Sequence, residues 1–419
     1  MVALRILVVN KFWYRRAGLE RVMFDEIRWL EDAGHEVGHF SADHPENDQS
    51  PWSDYFVPYL EIGVHTTLAP KDKVVAARRM FWNEEAARRF RRLLRDFRPA
   101  IVHVHGIHRQ ISPSILLVAK EAGIPVVQSL HDYHAICAAD DLLLAGTVAC
   151  QPVRCGRFNV LPCALHRCVQ RSSAKSALAA AELLWRRWVV KLESLVEAFI
   201  SPSRYLATTM AAGGMRRQPI HVVPNAIPVA VVQADCSPGE AFVYAGRLSR
   251  EKGLLTLLRA VERARVPLLV AGEGPLGDAL AAAAPPNVSF LGRLPGEEID
   301  HLLAGCRAAV VPSEWAENAP MAVLEPMAVG RPVIATRMGG IPEQLRDGID
   351  GILVRPGDDL ELAAALRLLA EDAGLADRLG RSARARVEDT FDPQTHIAGL
   401  LAVYSSVLNP QTAAAPPAT

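Results

Sequence analysis

The 419-residue sequence contains no uninterrupted apolar run approaching the ~18 residues of a membrane-spanning helix. Its first apolar stretch, Leu4 to Val9, is broken by Arg5 and leads to no small-residue cleavage site, so it reads as a first strand and the protein is expected to be cytoplasmic. Net charge is lacking too, at +0, and no unit smaller than a domain repeats. With 50% hydrophobic and 22% charged residues the composition is that of a soluble globular enzyme, and the length predicts two domains of roughly 200 residues.

The zero charge hides an asymmetry. Residues 1–225 hold 29 Lys and Arg against 22 Asp and Glu, a balance of +7, while the remainder holds 17 against 24, a balance of −7. Eight arginines fall between Arg78 and Arg98, interleaved with Met80, Phe81, Trp82, Phe90 and Phe97. A basic helix over 78–98 is compatible with peripheral contact to an anionic membrane or with attraction of a phosphorylated acceptor; a solvated face is the plainer alternative.

Strands and helices alternate throughout. The first half predicts strands over 4–9, 37–40, 101–104, 125–130, 198–201 and 221–223, with helices over 19–33, 74–97, 112–122, 174–193 and 203–212. The second predicts strands over 241–245, 267–271, 287–291, 308–312, 332–335 and 351–354, each followed by a helix or helical turn. Repeated βα units make parallel sheets, so the fold class is α/β, with two Rossmann-like doubly wound domains facing across a cleft that is the expected binding site. The domains are expected over 1–225, with a cysteine-rich insertion at 137–168, and over 226–390. A C-terminal helix over 391–408 is expected to pack back towards the first domain, and 409–419, rich in Ala and Pro, to be a disordered tail.

Chemistry concentrates where strands give way to helices. Ala308 to Pro312 reads as a buried strand, and Pro320 to Ala328 continues at helical period, which puts Glu317 at a helix N-terminus and Glu325 about two turns along. Backbone N–H groups of Asn318, Ala319 and Met321, on either side of Pro320, suit hydroxyls and anions. The loop Gly246-Arg-Leu-Ser-Arg-Glu-Lys-Gly253 carries Arg247 and Lys252 within reach of a diphosphate. It is neither a Walker loop nor a three-glycine dinucleotide fingerprint. Further glycine turns follow at Gly272-Glu273 and at Gly292-Arg293-Leu294, towards the same sheet edge.

The chain resembles the retaining glycosyltransferases of family 4, which have the GT-B fold. The resemblance is carried by Gly246-Arg247 with Lys252, Gly272-Glu-Gly-Pro275, Glu317-Asn-Ala-Pro-Met321 with Glu325, Gly330-Arg-Pro-Val-Ile-Ala335 and Gly339-Gly-Ile-Pro-Glu343. It implies that Arg247 and Lys252 hold the diphosphate of a nucleotide sugar, that Glu317 meets the sugar hydroxyls and Glu325 the ribose, and that Gly246, Gly272, Glu273, Arg293 and Leu294 line the donor site. His131 in His131-Asp-Tyr-His134 matches the histidine of the family's sugar pocket, with His105 near the crevice and His103 structural. Asp132, Glu20 and His105 are expected on the acceptor side, and Gly18 where backbone approaches phosphate. The family commonly has a double glycine here, and this chain has Ala17-Gly18. The implied reaction is transfer of a sugar to an acceptor hydroxyl (saccharide, lipid-linked glycan or metabolite), with no nucleic acid partner. Front-face attack, with Arg247 and Lys252 stabilising the leaving diphosphate, needs no metal or other cofactor.

Five of the seven cysteines fall within 137–168: Cys137, Cys150-x4-Cys155 and Cys163-x4-Cys168. The paired spacing suggests structural zinc on Cys150, Cys155, Cys163 and Cys168, with Cys137 an alternate ligand; disulfides and free thiols are the other readings. A subset of the family has a similar insertion after the His-Asp-Tyr motif. Two further functions stay open, a nucleotide-sugar epimerase of the same fold and a catalytically silent donor-binding scaffold.

Overall fold

The computed structural model describes residues 3–61, 69–144, 148–150, 155, 159–229 and 239–409. Residues 410–419 of the expected tail lie outside them, as do 145–147, 151–154 and 156–158 of the cysteine-rich insertion. Two compact units divide the chain: the first runs to Pro202 and adds Leu206–Val223 and the chain from Ile397, and the second joins Ser203–Tyr205 to Pro224–His396.

The first unit is built on a six-stranded parallel sheet of β1 (Arg5–Val9), β2 (Glu36–Phe40), β3 (Ile101–Val104), β4 (Val126–Ser129), β5 (Ala198–Ser201) and β6 (Ile220–Val222), in the order β6-β5-β4-β3-β1-β2. The second has β7 (Phe242–Ala245), β8 (Leu268–Ala271), β9 (Val288–Gly292), β10 (Ala308–Val311), β11 (Val333–Thr336) and β12 (Gly351–Val354), in the order β9-β8-β7-β10-β11-β12. Short runs of Val, Ile, Leu and Ala buried on both faces are what a parallel sheet covered by helices selects. Ile6, Leu7 and Val9 are fully buried, as are Phe242, Leu268, Ala308 and Ile334. Each large apolar side chain so buried contributes about 1.5–3 kcal/mol. In both sheets the strand order reverses beside the first strand, between β1 and β3 and between β7 and β10, and ligands bind doubly wound sheets beyond the strand ends at such points.

Two helices differ from the sequence reading. The stretch expected as one helix over 74–97 is two, Pro70–Phe81 and Glu84–Phe97. Asn83 breaks it: its side chain accepts from the Ala86 N–H at 3.1 Å and donates to the Gln110 carbonyl at 2.6 Å, and its own N–H donates to Ser112 Oγ at 2.9 Å. Phe90 and Phe97 are fully buried on the inner face of the second helix. On its outer face Arg88 and Arg89 pair with Glu85 and Arg91 with Glu121, so part of the arginine excess is spent on local ion pairs. The helix expected over 174–193 runs regularly only from Ser173 to Trp185, and Arg186–Val190 then wind a wider turn that ends at Lys191 with φ +54°. Arg186 and Arg187 turn inward there, donating to the carbonyls of His134 at 2.8 Å and of Ala135 at 3.3 Å. Among the described residues no helix is long and apolar enough to cross a membrane.

Candidate active site

In the second unit the loops after β7, β8, β10 and β11 are lashed together by their backbones. The Gly246 N–H donates to Ala271 O, Leu248 N–H to Glu273 O, Glu314 N–H to Glu251 O and Gly340 N–H to Glu317 O, at 2.7–2.9 Å. Glycine makes this spacing attainable. A Cβ on Gly272 would stand 1.9 Å from Gly246 O, and one on Gly340 would stand 1.9 Å from Asn318 O.

The loops bring Lys252 and Glu317 together. Lys252 Nζ lies 2.7 Å from Glu317 Oε1, which also accepts from Ser313 Oγ at 2.7 Å. Glu317 is buried, and Lys252 keeps 28% of its side chain exposed, 5.6 Å over the Trp315 ring. Lys252 closes a short helical turn, Arg250–Lys252, that Gly253 ends at φ +72°. Behind Glu317, Asn318 and Ala319 are buried, Ala319 O accepts from Asn225 at 3.1 Å and Pro320 O accepts from Gln344 at 3.3 Å. Gly246, Arg247, Glu273 and Arg293 are exposed and Leu294 is half-buried, so Arg247 stands beside this pair in sequence without sharing its burial.

The helix after β10 is shorter than its period suggested. It covers Met321–Ala328, because Pro320 is extended at ψ 130°, so Glu317 precedes it and half-buried Glu325 lies one turn inside it.

In the first unit the chain leaves β1 at Asn10, a buried side chain that accepts from the Gly106 N–H at 3.1 Å and donates to Phe12 O at 2.9 Å. Glu20 accepts from the Ala17 N–H at 3.2 Å and from Asn10 at 3.4 Å, and burial pushes its carboxyl up. This carboxylate therefore braces the loop that leads to exposed Gly18. Ala17 is extended at φ −152°, a conformation that needs no glycine.

His131 follows β4 and shares a hydrogen bond, Nε2 to Nδ1, with His105 at 2.9 Å. His105 Nε2 is 3.5 Å from Glu26 Oε2. Burial lowers the His131 pKa to about 4, leaving a neutral imidazole at ordinary pH. His105, His131 and Asp132 line one small cavity, where burial and then Asp140 push the Asp132 carboxyl up. Glu26, His103 and His105 each bring one ligand atom within 4.8 Å of the others, as a metal would require. His103, however, spends both ring nitrogens on other partners, Nε2 on Ser129 Oγ and Nδ1 on the Tyr404 hydroxyl, both at 2.8 Å. Ser313, Glu26, Asn10 and Tyr404 escaped the sequence reading. Only Asn10 carried a signal there, as a polar residue at the end of the first strand.

The five clustered cysteines also converge. Cys137, Cys150, Cys155, Cys163 and Cys168 line one small cavity; all but half-buried Cys168 are buried.

Known proteins resemble both halves of the chain. Residues 17–226 match the glycosyl transferase 4-like domain and residues 237–386 match glycosyl transferases group 1. The glycogen synthase of Mycobacterium tuberculosis is 34% identical over 200 residues, 44% of this chain and 48% of that one. The O-antigen chain mannosyltransferase C of Escherichia coli is 31% identical over 173 residues, 40% of this chain and 47% of that one. The chain spans about half the length of these curated relatives. Among solved structures, sucrose-phosphate synthase from Thermosynechococcus elongatus superposes with a TM-score of 0.69 at 16% identity, over 97% of this chain and 100% of that one. Anabaena HepE in complex with UDP-glucose gives 0.64 at 18%, over 96% and 100%. At such identities the likeness shows the fold alone, two Rossmann-like parallel sheets of the GT-B class.

Proposed function

Since the chain belongs to the glycosyl transferase 4-like family, we propose that it transfers a sugar from a nucleoside diphosphate sugar to an acceptor hydroxyl, with retention of anomeric configuration. The observation that carries this reading is the Lys252–Glu317 pair, 2.7 Å apart at the reversal point of the second sheet, among loops packed through glycine. Lys252 and exposed Arg247 supply fixed positive charge for a diphosphate. Glu317, held from one side by Ser313 and Lys252, keeps its other oxygen to accept from sugar hydroxyls, and Glu325 serves the ribose. As the sugar–oxygen bond breaks, charge grows on the leaving diphosphate, and its oxygen takes the proton of the acceptor hydroxyl on the same face. Fixed cations at that place lower the barrier without themselves moving a proton. In the first unit, His131, kept neutral by burial and hydrogen-bonded with His105, stands with Asp132 and His105 on the acceptor side.

The test is a panel of UDP-, GDP- and ADP-sugars offered to the full chain, read by thermal shift and by release of nucleoside diphosphate with and without saccharide or lipid-linked acceptors. A shift with one donor and acceptor-dependent release are expected. Isomerised donor in the absence of any acceptor would replace transfer with epimerisation, and no shift with any donor would leave only a scaffold.

A further inference from the structure

A cavity of about 120 Å³ lies in the first unit between the wide turn Arg186–Val190, the short turn Leu192–Leu195 and the chain that follows Ala212. A single water needs only ~10–15 Å³, so this space admits a larger ligand. Its lining is one-sided in charge: Arg186, Arg187, Lys191, Arg216 and Arg217 stand against Glu193 alone. A concave space lined by one sign of charge concentrates the opposite ion.

The cations differ in how far the protein itself satisfies them. Buried Arg186 pairs with Glu182 at 2.9 Å and donates to His134 O at 2.8 Å, so it belongs to the wall. Half-buried Arg187 donates to the carbonyls of Ala135 and Ile136 at 3.3 Å and of Gly213 at 3.5 Å, which orient its guanidinium. Arg216 donates from Nε to Ala211 O at 3.1 Å. Among the described residues no carboxylate pairs with the side chain of Lys191, Arg216 or Arg217, all three exposed. Glu193 accepts from the backbone N–H of Arg217 at 3.1 Å and so anchors that segment by its main chain.

A carboxylate offers two oxygens in one plane, whereas a phosphoryl group offers three and carries up to two negative charges. Cations contributed by two chain segments match the second, and arginine and lysine are the side chains that phosphoryl oxygens take. Trp188, 38% exposed, also lines the cavity, and Val189 next to it in sequence is 68% exposed, an apolar rim for the body that bears the charged group.

We propose that this cavity binds the phosphoryl group of a phosphate ester, held by Arg187, Lys191, Arg216 and Arg217. A soluble phosphorylated compound and a lipid phosphate present the same oxygens to it. Ala135, Arg186 and Leu192 also line the small cavity of His131 and Asp132, so the two spaces share a wall. The site stands on its own lining, whether or not the chain transfers sugar.

The experiment is hydrogen exchange of the full chain with inorganic pyrophosphate, or with phosphatidylcholine vesicles that contain or lack phosphatidic acid. Slower exchange in peptides covering 186–193 and 213–217 is expected. Protection by pyrophosphate assigns a soluble ligand, and protection only by vesicles with phosphatidic acid assigns a lipid one. Lys191→Gln combined with Arg217→Gln, both at exposed positions, should leave the unfolding midpoint in place and weaken binding at least roughly tenfold, as loss of charged hydrogen bonds does. No protection of these peptides by either reagent overturns the proposal, as does protection that the paired substitution leaves intact. Pyrophosphate also meets Arg247 and Lys252, and slower exchange over 246–253 reports that separate event, so failure of the donor reading and failure of this one are read in different peptides.

Discussion

The hydroxyl of Tyr404 shares a hydrogen bond with Nδ1 of His103, 301 positions earlier in the chain, at 2.8 Å, and both side chains are fully buried. The other ring nitrogen of His103, Nε2, shares a hydrogen bond with Ser129 Oγ at 2.8 Å, so both nitrogens are engaged. One side chain 301 positions on thus completes the hydrogen bonding of a histidine in the first sheet. Tyr404→Phe should leave Nδ1 unsatisfied and cost roughly 1–2 kcal/mol, read as a lower denaturation midpoint. An unchanged midpoint would mean that the bond adds nothing.

Lys252 and Arg247 should separate under mutation. Lys252→Ala removes a cation from the proposed diphosphate site and a partner from buried Glu317, so turnover should fall by about 10²–10³-fold and stability by roughly 1–3 kcal/mol. Arg247→Ala, at an exposed position, should lower turnover comparably while stability stays within about 0.5 kcal/mol. Near-normal rates in either variant would remove that residue from the reaction.

Two glycines offer a paired control. Gly340→Ala would press a methyl group 1.9 Å from Asn318 O and displace the Glu317 segment, costing roughly 1–3 kcal/mol and abolishing the donor-induced thermal shift. Gly348→Ala has nothing within 4 Å and pays only for its φ of +71°, about 1–2 kcal/mol, so the donor shift should persist. Equal loss of the shift in both would point to general unfolding.

His39 allows a test of pH dependence. It is buried, stacked on Trp13 and hydrogen-bonded with Ser50, and burial lowers its pKa from 6.5 to about 4. Below 6.5 the unfolded chain therefore takes up a proton that the folded chain refuses, and stability falls with pH until about 4. Asp141, raised by burial to about 7, acts in the opposite sense, so the informative quantity is the difference between wild type and His39→Gln. That difference should be constant above pH 6.5 and change by up to about 1.4 kcal/mol per pH unit below it, to the disadvantage of wild type. Urea denaturation between pH 4.5 and 8 would check it; a flat difference would mean that His39 titrates normally.

The strands were legible because short Val- and Ile-rich runs such as Ile101–Val104 and Ala198–Ser201 obey a local rule that burial on both faces enforces. The break at Asn83 was not legible, since its partners Gln110 and Ser112 lie more than 25 positions away. The same holds within the donor unit: Lys252 and Glu317 could be named from their motifs, but the bond between them spans 65 positions and depends on how four loops stack through glycine. Glu325 was misjudged by a turn because Pro320, at the start of an apparent helical period, is extended.

The division of the chain bears on its synthesis. Ile397, Leu400, Leu401, Val403 and Tyr404 are buried and belong to the first unit, whose other strands are translated before residue 223. On the ribosome that unit must wait, its surface for this helix uncovered, while the whole intervening unit emerges and has the chance to fold. The part that begins first is finished last, and a chaperone that shields exposed apolar surface would find its longest opportunity there.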